Sequence, residues 1–277
     1  WLYEAYEKEK QLFVRESYLK AMEKLNFSQM LPKLKKRQKT LQEELLYAAD
    51  EGKKHLQKEA AVLSRMILKY EKPKHHTFCG EKTEDVILLC NRNNRQITAR
   101  QIQTGEVSML AGGVRIQGAD LQEIAKIRTW QELLFPLHGK VEREYTAEAA
   151  AQTVWNTEIM ELLQSLHEEK GAFLFRIEYK GSLDERKKSE FVKKTASLLE
   201  EKSELILINS ISDYEIEIRI VESKKGGYLP FLRLYTMEDE RFAYRKESIA
   251  ASIAPVNAAL IMQIAGDHLK ENAQVLD

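Results

Sequence analysis

The chain has 277 residues, enough for roughly two domains at about 150 residues each. At 43% hydrophobic and 31% charged, it reads as globular, neither disordered nor membrane-embedded. Its 43 Lys and Arg are balanced by 43 Asp and Glu, so net charge gives no support for nucleic acid and any basic surface must be local.

Residues 1 to about 72 read as helix throughout. Leu12, Phe13, Tyr18, Leu19, Met22 and Leu25 recur at helical spacing, and Pro32 stands where a second helix would start. Two more helices follow to Tyr70, hinged near Asp50-Glu51-Gly52. "VRESYLKAMEKL" resembles one unit of a HEAT-like helical repeat; a small helical hairpin explains it as well. "EKPKHHTFCGEKTED", with Pro73 and Gly80, reads as an exposed linker. Val86–Cys90 then begins a different texture, a short buried strand. "NRQITARQIQ" is a helix start or turn, "GGVRIQG" a strand, "DLQEIAKI" a short helix opened by Asp120, and "WQELLFPL" a strand ending at Pro136.

From Gly139 a second unit of this kind begins. "EAAAQTVWNTEIMELLQSLHEE" predicts one long helix, and "AFLFRIEYKG" a strand. Ser182 or Asp184 caps the helix "ERKKSEFVKKTASLLEEK", and "LILINS" is a buried strand. In "YEIEIRIVES" the isoleucines 216, 218 and 220 alternate with Glu215, Glu217 and Arg219, so the charged face is expected in water. Pro230 puts the strand "GGYLPFLRLYT" at an edge or bulge. The stretch from Ile249 to Ile264 is too interrupted to span a bilayer, which needs about 20 apolar residues, and reads as a buried helix over Ser252 to Ala265.

Catalytic patterns are missing. There is no G-x-G-x-x-G, P-loop, C-x-x-C or G-x-S-x-G, and "AGGV" and "GGYLP" read as turns. Cys79 and Cys90 are too few for a disulfide framework and point to reduced thiols in a cytoplasmic protein. His75, His76 and Cys79 lack a fourth ligand at suitable spacing, so no metal is expected. His55, His138, His167 and His268 stand alone and receive no role. Local basic clusters matter more. One is "KLKKRQK" on a helix, read as a solvated face. Another gathers Lys180, Arg186, Lys187, Lys188, Lys193 and Lys194. A third gathers Arg233, Arg241, Arg245 and Lys246, interleaved with Tyr235, Phe242 and Tyr244. Such cations position phosphates and such aromatics can stack on unpaired bases, although burial in a hinge is expected for Tyr235 and Tyr244.

The order of these pieces from about Val86 to Asp277 resembles the THUMP-domain class I S-adenosylmethionine-dependent RNA methyltransferases, which modify guanines in tRNA or ribosomal RNA. "VILLCNRNNRQITARQI", "GGVRIQGADLQEIAKIRTWQELLFPL", "FLFRIEYKG" to "YLPFLRLY", and "RFAYRKESIAASIAPVNAALIMQIAGDHLKENAQVLD" carry the likeness. It implies an α+β chain with a ferredoxin-like domain (76–140), a THUMP domain (141–240), then a linker helix and the first strand of a methyltransferase domain (241–277). The HEAT-like helices of 1–75 stand outside the family's usual pattern and read as an N-terminal extension. Val275-Leu276-Asp277 resembles the opening of cofactor motif I, with Asp277 its first cofactor-binding residue. Together with Trp1 in place of an initiator Met, this leads us to expect a fragment. The parent would be a transferase using S-adenosylmethionine, and this fragment, inactive alone and without bound cofactor, would grip structured RNA. DNA and membrane are not expected as partners. Two other readings stand beside it: a non-catalytic protein-interaction scaffold of helical repeats plus an α/β domain, and the THUMP region of a thiouridine synthetase or deaminase, against which the Pro-x-x-Ala helix running into "VLD" argues.

Overall fold

The computed structural model describes residues 1–25, 28–71, 75–169, 171–247, 252–266 and 268–273, leaving aside the side chains of 50 and 51. The chain divides into two compact units, Trp1–Lys74 and His75–Asp277.

The first unit is helical: α1 (Leu2–Lys8), α2 (Leu12–Leu25), α3 (Leu31–Tyr47) and α4 (Asp50–Glu71). Pro32 lies in the first turn of α3, where its missing N–H costs nothing. Leu56, Leu63, Met66, Ile67 and Tyr70 form the inward stripe of α4, against Leu19, Met22, Leu34 and Leu41. Within this core Glu59 is fully buried. It accepts from the Tyr6 hydroxyl and from Arg37 Nε (3.0 Å), and Arg37 also forks onto Glu44 at 2.7 and 2.8 Å. The solvated face expected of "KLKKRQK" therefore loses Arg37 to the interior. Of the cations in that run Arg37 points between the helices, because a buried carboxylate must be paired.

The second unit opens with β1 (Thr83–Leu89), α5 (Arg95–Arg100), β2 (Glu106–Leu110), β3 (Gly113–Asp120), α6 (Leu121–Ile124) and β4 (Glu132–Pro136). It continues with α7 (Ala147–Trp155), α8 (Ile159–Leu166), β5 (Phe173–Lys180), α9 (Glu185–Lys202), β6 (Leu207–Asn209), β7 (Ile216–Glu222), β8 (Tyr228–Leu234) and α10 (Pro255–Gly266). The eight strands make one mixed sheet in the order β2-β3-β1-β4-β8-β7-β5-β6. β5 runs parallel to β6 and β7, and the other pairs are antiparallel. The seam between its two halves is short, Phe135 facing Leu232 and Pro136 facing Phe231. Gly113 belongs in β3 because a Cβ there would sit 2.2 Å from the Leu88 carbonyl oxygen.

One face of the sheet is apolar. Val86, Val114, Phe135, Phe173, Phe175, Ile216, Ile218, Ile220 and Leu232 pack in one core with Val154, Leu163, Phe191 and Leu199 of the helices. The isoleucines of β7 are fully buried as their alternation requires.

Five local expectations are corrected. Glu215, Glu217 and Arg219 are not in water: they are 0%, 1% and 7% exposed. β7 is an interior strand; arginines on its neighbours cover Glu217, and His76 covers Glu215. β8 is interior too. Pro230 is tolerated there because it faces Leu137, one residue past the end of β4, and its carbonyl accepts from the Leu137 amide at 3.1 Å. The long helix predicted after Glu148 is broken at Asn156–Glu158, where Thr157 forms a β-bridge with Gly139 that draws its backbone away from the helix axis. The stretch after Ser252 is helical from Pro255, yet only Leu260 of α10 is buried, and Ile261, Met262 and Ile264 are exposed. The presumed exposed linker is pinned: His76 is 6% exposed and Phe78 bridges His167. Among the described residues no helix is long and apolar enough to cross a membrane.

Candidate nucleic-acid interface

The basic residues singled out from sequence fall into separate places. α9 is capped by Asp184, whose side chain accepts from the Lys187 amide at 2.9 Å. That bond holds the Asp184 carboxyl below its ordinary value. Phe191, Thr195, Ala196, Leu199 and Glu200 form the inward stripe of α9, which turns Arg186, Lys187, Lys193 and Lys194 to the exposed side. Lys188 is half-buried, and Lys180 stands exposed at the end of β5. Carboxylates attend most of these cations: Lys180 with Glu178 (2.7 Å), Arg186 with Glu190 (3.3 Å), Lys187 with Asp184 (3.4 Å), Lys188 with Glu185 (3.9 Å) and Lys194 with Glu148 (2.5 Å). Exposed pairs of this kind contribute only about 0–1 kcal/mol.

Arg233 lies on the opposite face of the sheet, directly across from Glu217. Arg241 is not a surface cation at all. It is 6% exposed, stacks with its guanidinium carbon 3.2 Å from the centre of the Trp130 ring, forks onto Asp239 at 2.7 Å twice, and donates to the Trp130 carbonyl at 2.8 Å. This arginine clasps the turn after β8 to the loop before β4. Arg245 donates to the Ile253 carbonyl at 3.0 Å, and Lys246 is exposed. Asp277 lies outside the described residues.

The sheet face away from α9 carries a network that sequence reading missed. Glu217 accepts from Arg176 (3.0 and 2.6 Å) on β5 and from Arg219 (3.1 and 2.7 Å) on its own strand. Burial pushes the Glu217 carboxyl up, but these guanidinium bonds outweigh it and hold it below the ordinary range. Arg219 reaches on to Glu132 at 2.6 Å, and Glu132 also binds Arg233 at 2.9 Å. Two tyrosines stand over the arginines: Arg176 lies 4.1 Å from the Tyr214 ring centre, and Arg233 lies 4.8 Å from that of Tyr235. Tyr235 and Tyr244, expected to be buried, are 39% and 59% exposed. Arg233 stands out from sequence only as part of a basic cluster, and Arg176 and Arg219 look unremarkable in their own strands. The signal lay in their shared parity once β5, β7 and β8 are neighbours.

A wide groove of ≈ 1210 Å³ runs beside Tyr235, between His75–Glu81 on one side and Lys126, Arg128 and Glu240 on the other. Its wall is tied down by Glu215, which accepts from the amide and Nδ1 of His76 (2.7 and 2.8 Å) and from the Leu174 amide (2.9 Å). His76 stacks on Phe173 at 3.9 Å. Beside it His167, whose pKa burial pulls down, contacts Thr236 at 2.9 Å. Among the described residues no group of three His, Cys, Asp or Glu side chains is placed to hold a metal.

No protein-family model and no curated protein matches the chain. Several solved structures are similar to parts of it, among them these three. The Thermus thermophilus TrmN structure has 15% identity and a TM-score of 0.45, with 66% of this chain and 54% of that one covered. A predicted N6-adenine-specific DNA methylase from Listeria monocytogenes has 14% identity, a TM-score of 0.46, and 65% and 48% coverage. A 4-thiouridine synthetase solved with RNA and ATP has 14% identity, a TM-score of 0.37, and 55% and 42% coverage. The chain thus spans about half the length of the structures it matches.

Proposed function

We propose that the chain is the RNA-binding, substrate-recognition part of an S-adenosylmethionine-dependent tRNA or ribosomal RNA guanine methyltransferase, working in the cytoplasm. The observation that carries this reading is the exposed cationic side of α9. Arg186, Lys187, Lys193 and Lys194 project from one helix whose opposite side is locked into the sheet, so their spacing is preset for a phosphate backbone. The sequence resemblance over residues 86–277 supports it, and the order of elements in the second unit is compatible with it. Lys188 extends the surface; Lys180 shares the parity of Arg176 and belongs with Glu178 to the other face of the sheet, and Arg245 and Lys246 lie apart as a separate basic pair.

A target base in folded RNA has to be unstacked before its amine can meet the methyl donor, so a rigid gripping surface determines which nucleotide reaches the catalytic pocket. Affinity of this kind is sequence-tolerant and comes from backbone contacts. S-adenosylmethionine belongs to the parent enzyme in this reading; no described residue of this chain is assigned to it. Anisotropy titration of fluorescent tRNA against salt tests the proposal. Three or four phosphate contacts give a log–log slope of about −2 to −4, and Lys193→Gln with Lys194→Gln should flatten it by about 2. Affinity independent of salt, or indifferent to the double substitution, would favour the scaffold reading, for which the exposed Leu46 and Tyr47 of α3 are the natural contacts.

A further inference from the structure

We infer that Arg176 and Arg233, held on either strand flank of Glu217 and Arg219 and sharing the Tyr235 ring, form a second phosphate site for the RNA backbone on the sheet face opposite α9. This deepens the RNA-binding reading and rests on it. The network has three guanidiniums, Arg176, Arg219 and Arg233, against two carboxylates, Glu132 and Glu217. The Arg219 side chain is 8% exposed and spends its donors on both carboxylates, so the surplus positive charge resides on the outer pair.

Those two arginines are also the accessible ones, their side chains 33% and 29% exposed. Arg176 uses Nε and Nη2 on Glu217 and Tyr235, and Arg233 uses Nη1 on Glu132. Among the described residues no hydrogen bond engages Arg176 Nη1 or Arg233 Nε and Nη2. A guanidinium with an unfilled donor edge is matched in shape and charge to a phosphate oxygen pair. Both guanidinium carbons lie within 5.4 Å of the Tyr235 ring centre, which puts the two heads beside one exposed ring on the same sheet face. The nearest carboxylate along β5, Glu178, is drawn off by Lys180 at 2.7 Å. The buried acids act as fixed braces here. They hold each arginine head in place before the anion arrives, which lowers the ordering cost of binding.

The test uses the full chain, labelled tRNA and a salt series, with Arg233→Gln, Arg176→Lys and the Lys193→Gln, Lys194→Gln pair. Arg233→Gln should lower the salt slope by about 0.9, the value of one lost phosphate contact. Arg176→Lys keeps the charge and loses the fork, so affinity should fall with the slope nearly preserved. Wild-type affinity and slope in both arginine variants, with melting temperatures confirming that they fold, would overturn the site. If the lysine pair flattens the slope and the arginine variants do not, RNA binding stands and this inference falls. A second measurement is independent of RNA: the Arg176 and Arg233 Nε–H resonances should shift on titration with inorganic phosphate. No shift overturns the site whatever the tRNA result. A shift in a chain that binds no RNA overturns the backbone assignment along with the RNA reading.

Discussion

Arg241 shows how much one side chain's role depends on what surrounds it. Its charge, and its place next to aromatic residues, suggested a phosphate contact; inside the fold it satisfies Asp239 and two carbonyls around Trp130. Arg241→Ala should therefore cost about 3 kcal/mol of stability, through carbonyls left unpaired in a buried site, and leave the salt slope of RNA binding unchanged. Urea denaturation and anisotropy on the same variant check both halves. Glu215 is a comparable anchor. All three of its recorded partners donate to it, so Glu215→Gln would turn an amide N–H toward another donor and cost about 2 kcal/mol. Faster hydrogen exchange at the Leu174 and His76 amides would report it.

Glu217 adds a pH dependence whose sign is fixed. Its folded pKa is depressed by Arg176 and Arg219 despite burial. The stability it contributes is present above the unfolded carboxylate value of about 4.3 and is lost as pH falls through the lower folded value. Glu23 behaves likewise through Arg65 and Lys69. Denaturation midpoints should ease downward below about pH 6.5, where the depressed His167 favours the unfolded chain, and drop further below about 4.3, and Glu217→Gln should shrink only the second drop.

Among the elements, α9 is the clearest case of sequence dictating form. Asp184 caps it, and the amphipathic stripe sets which side faces outward. Asp184→Ala should cost about 1 kcal/mol and loosen the turn bearing Arg186 and Lys187, read out by thermal melting. The broken helix at Asn156–Glu158 is the opposite case. Nothing in "TVWNTEIM" forbids a continuous helix. A Cβ on Gly139 would sit 2.5 Å from the Asn156 carbonyl oxygen, so that close approach depends on glycine, and Gly139→Ala should disturb the α7–α8 junction. β2 escaped the sequence reading because its residues are largely exposed, giving no apolar run to find.

At the scale of the molecule, the two units each have their own hydrophobic core, one among the helices of residues 3–70 and one across the sheet. A chain of residues 75–277 alone should unfold cooperatively, since a self-contained core is what a domain needs to fold by itself. Calorimetry of the shortened chain checks this, and a broad, non-cooperative transition would contradict it.

By itself the sequence determined the helical first unit, the mixed second layer, the buried isoleucine row of β7 and the outward cations of α9. Each of these follows from local periodicity, which depends only on residues a few positions apart. The tertiary structure alone decided that β7 and β8 are interior and that Glu217 is buried. It likewise decided that Arg241 points inward, and that Arg176 and Arg233, 57 positions apart in the chain, meet at one tyrosine. Strand order is set by long-range pairing, and a charged residue's environment is set by the strands beside it, so neither leaves a periodic mark in the chain.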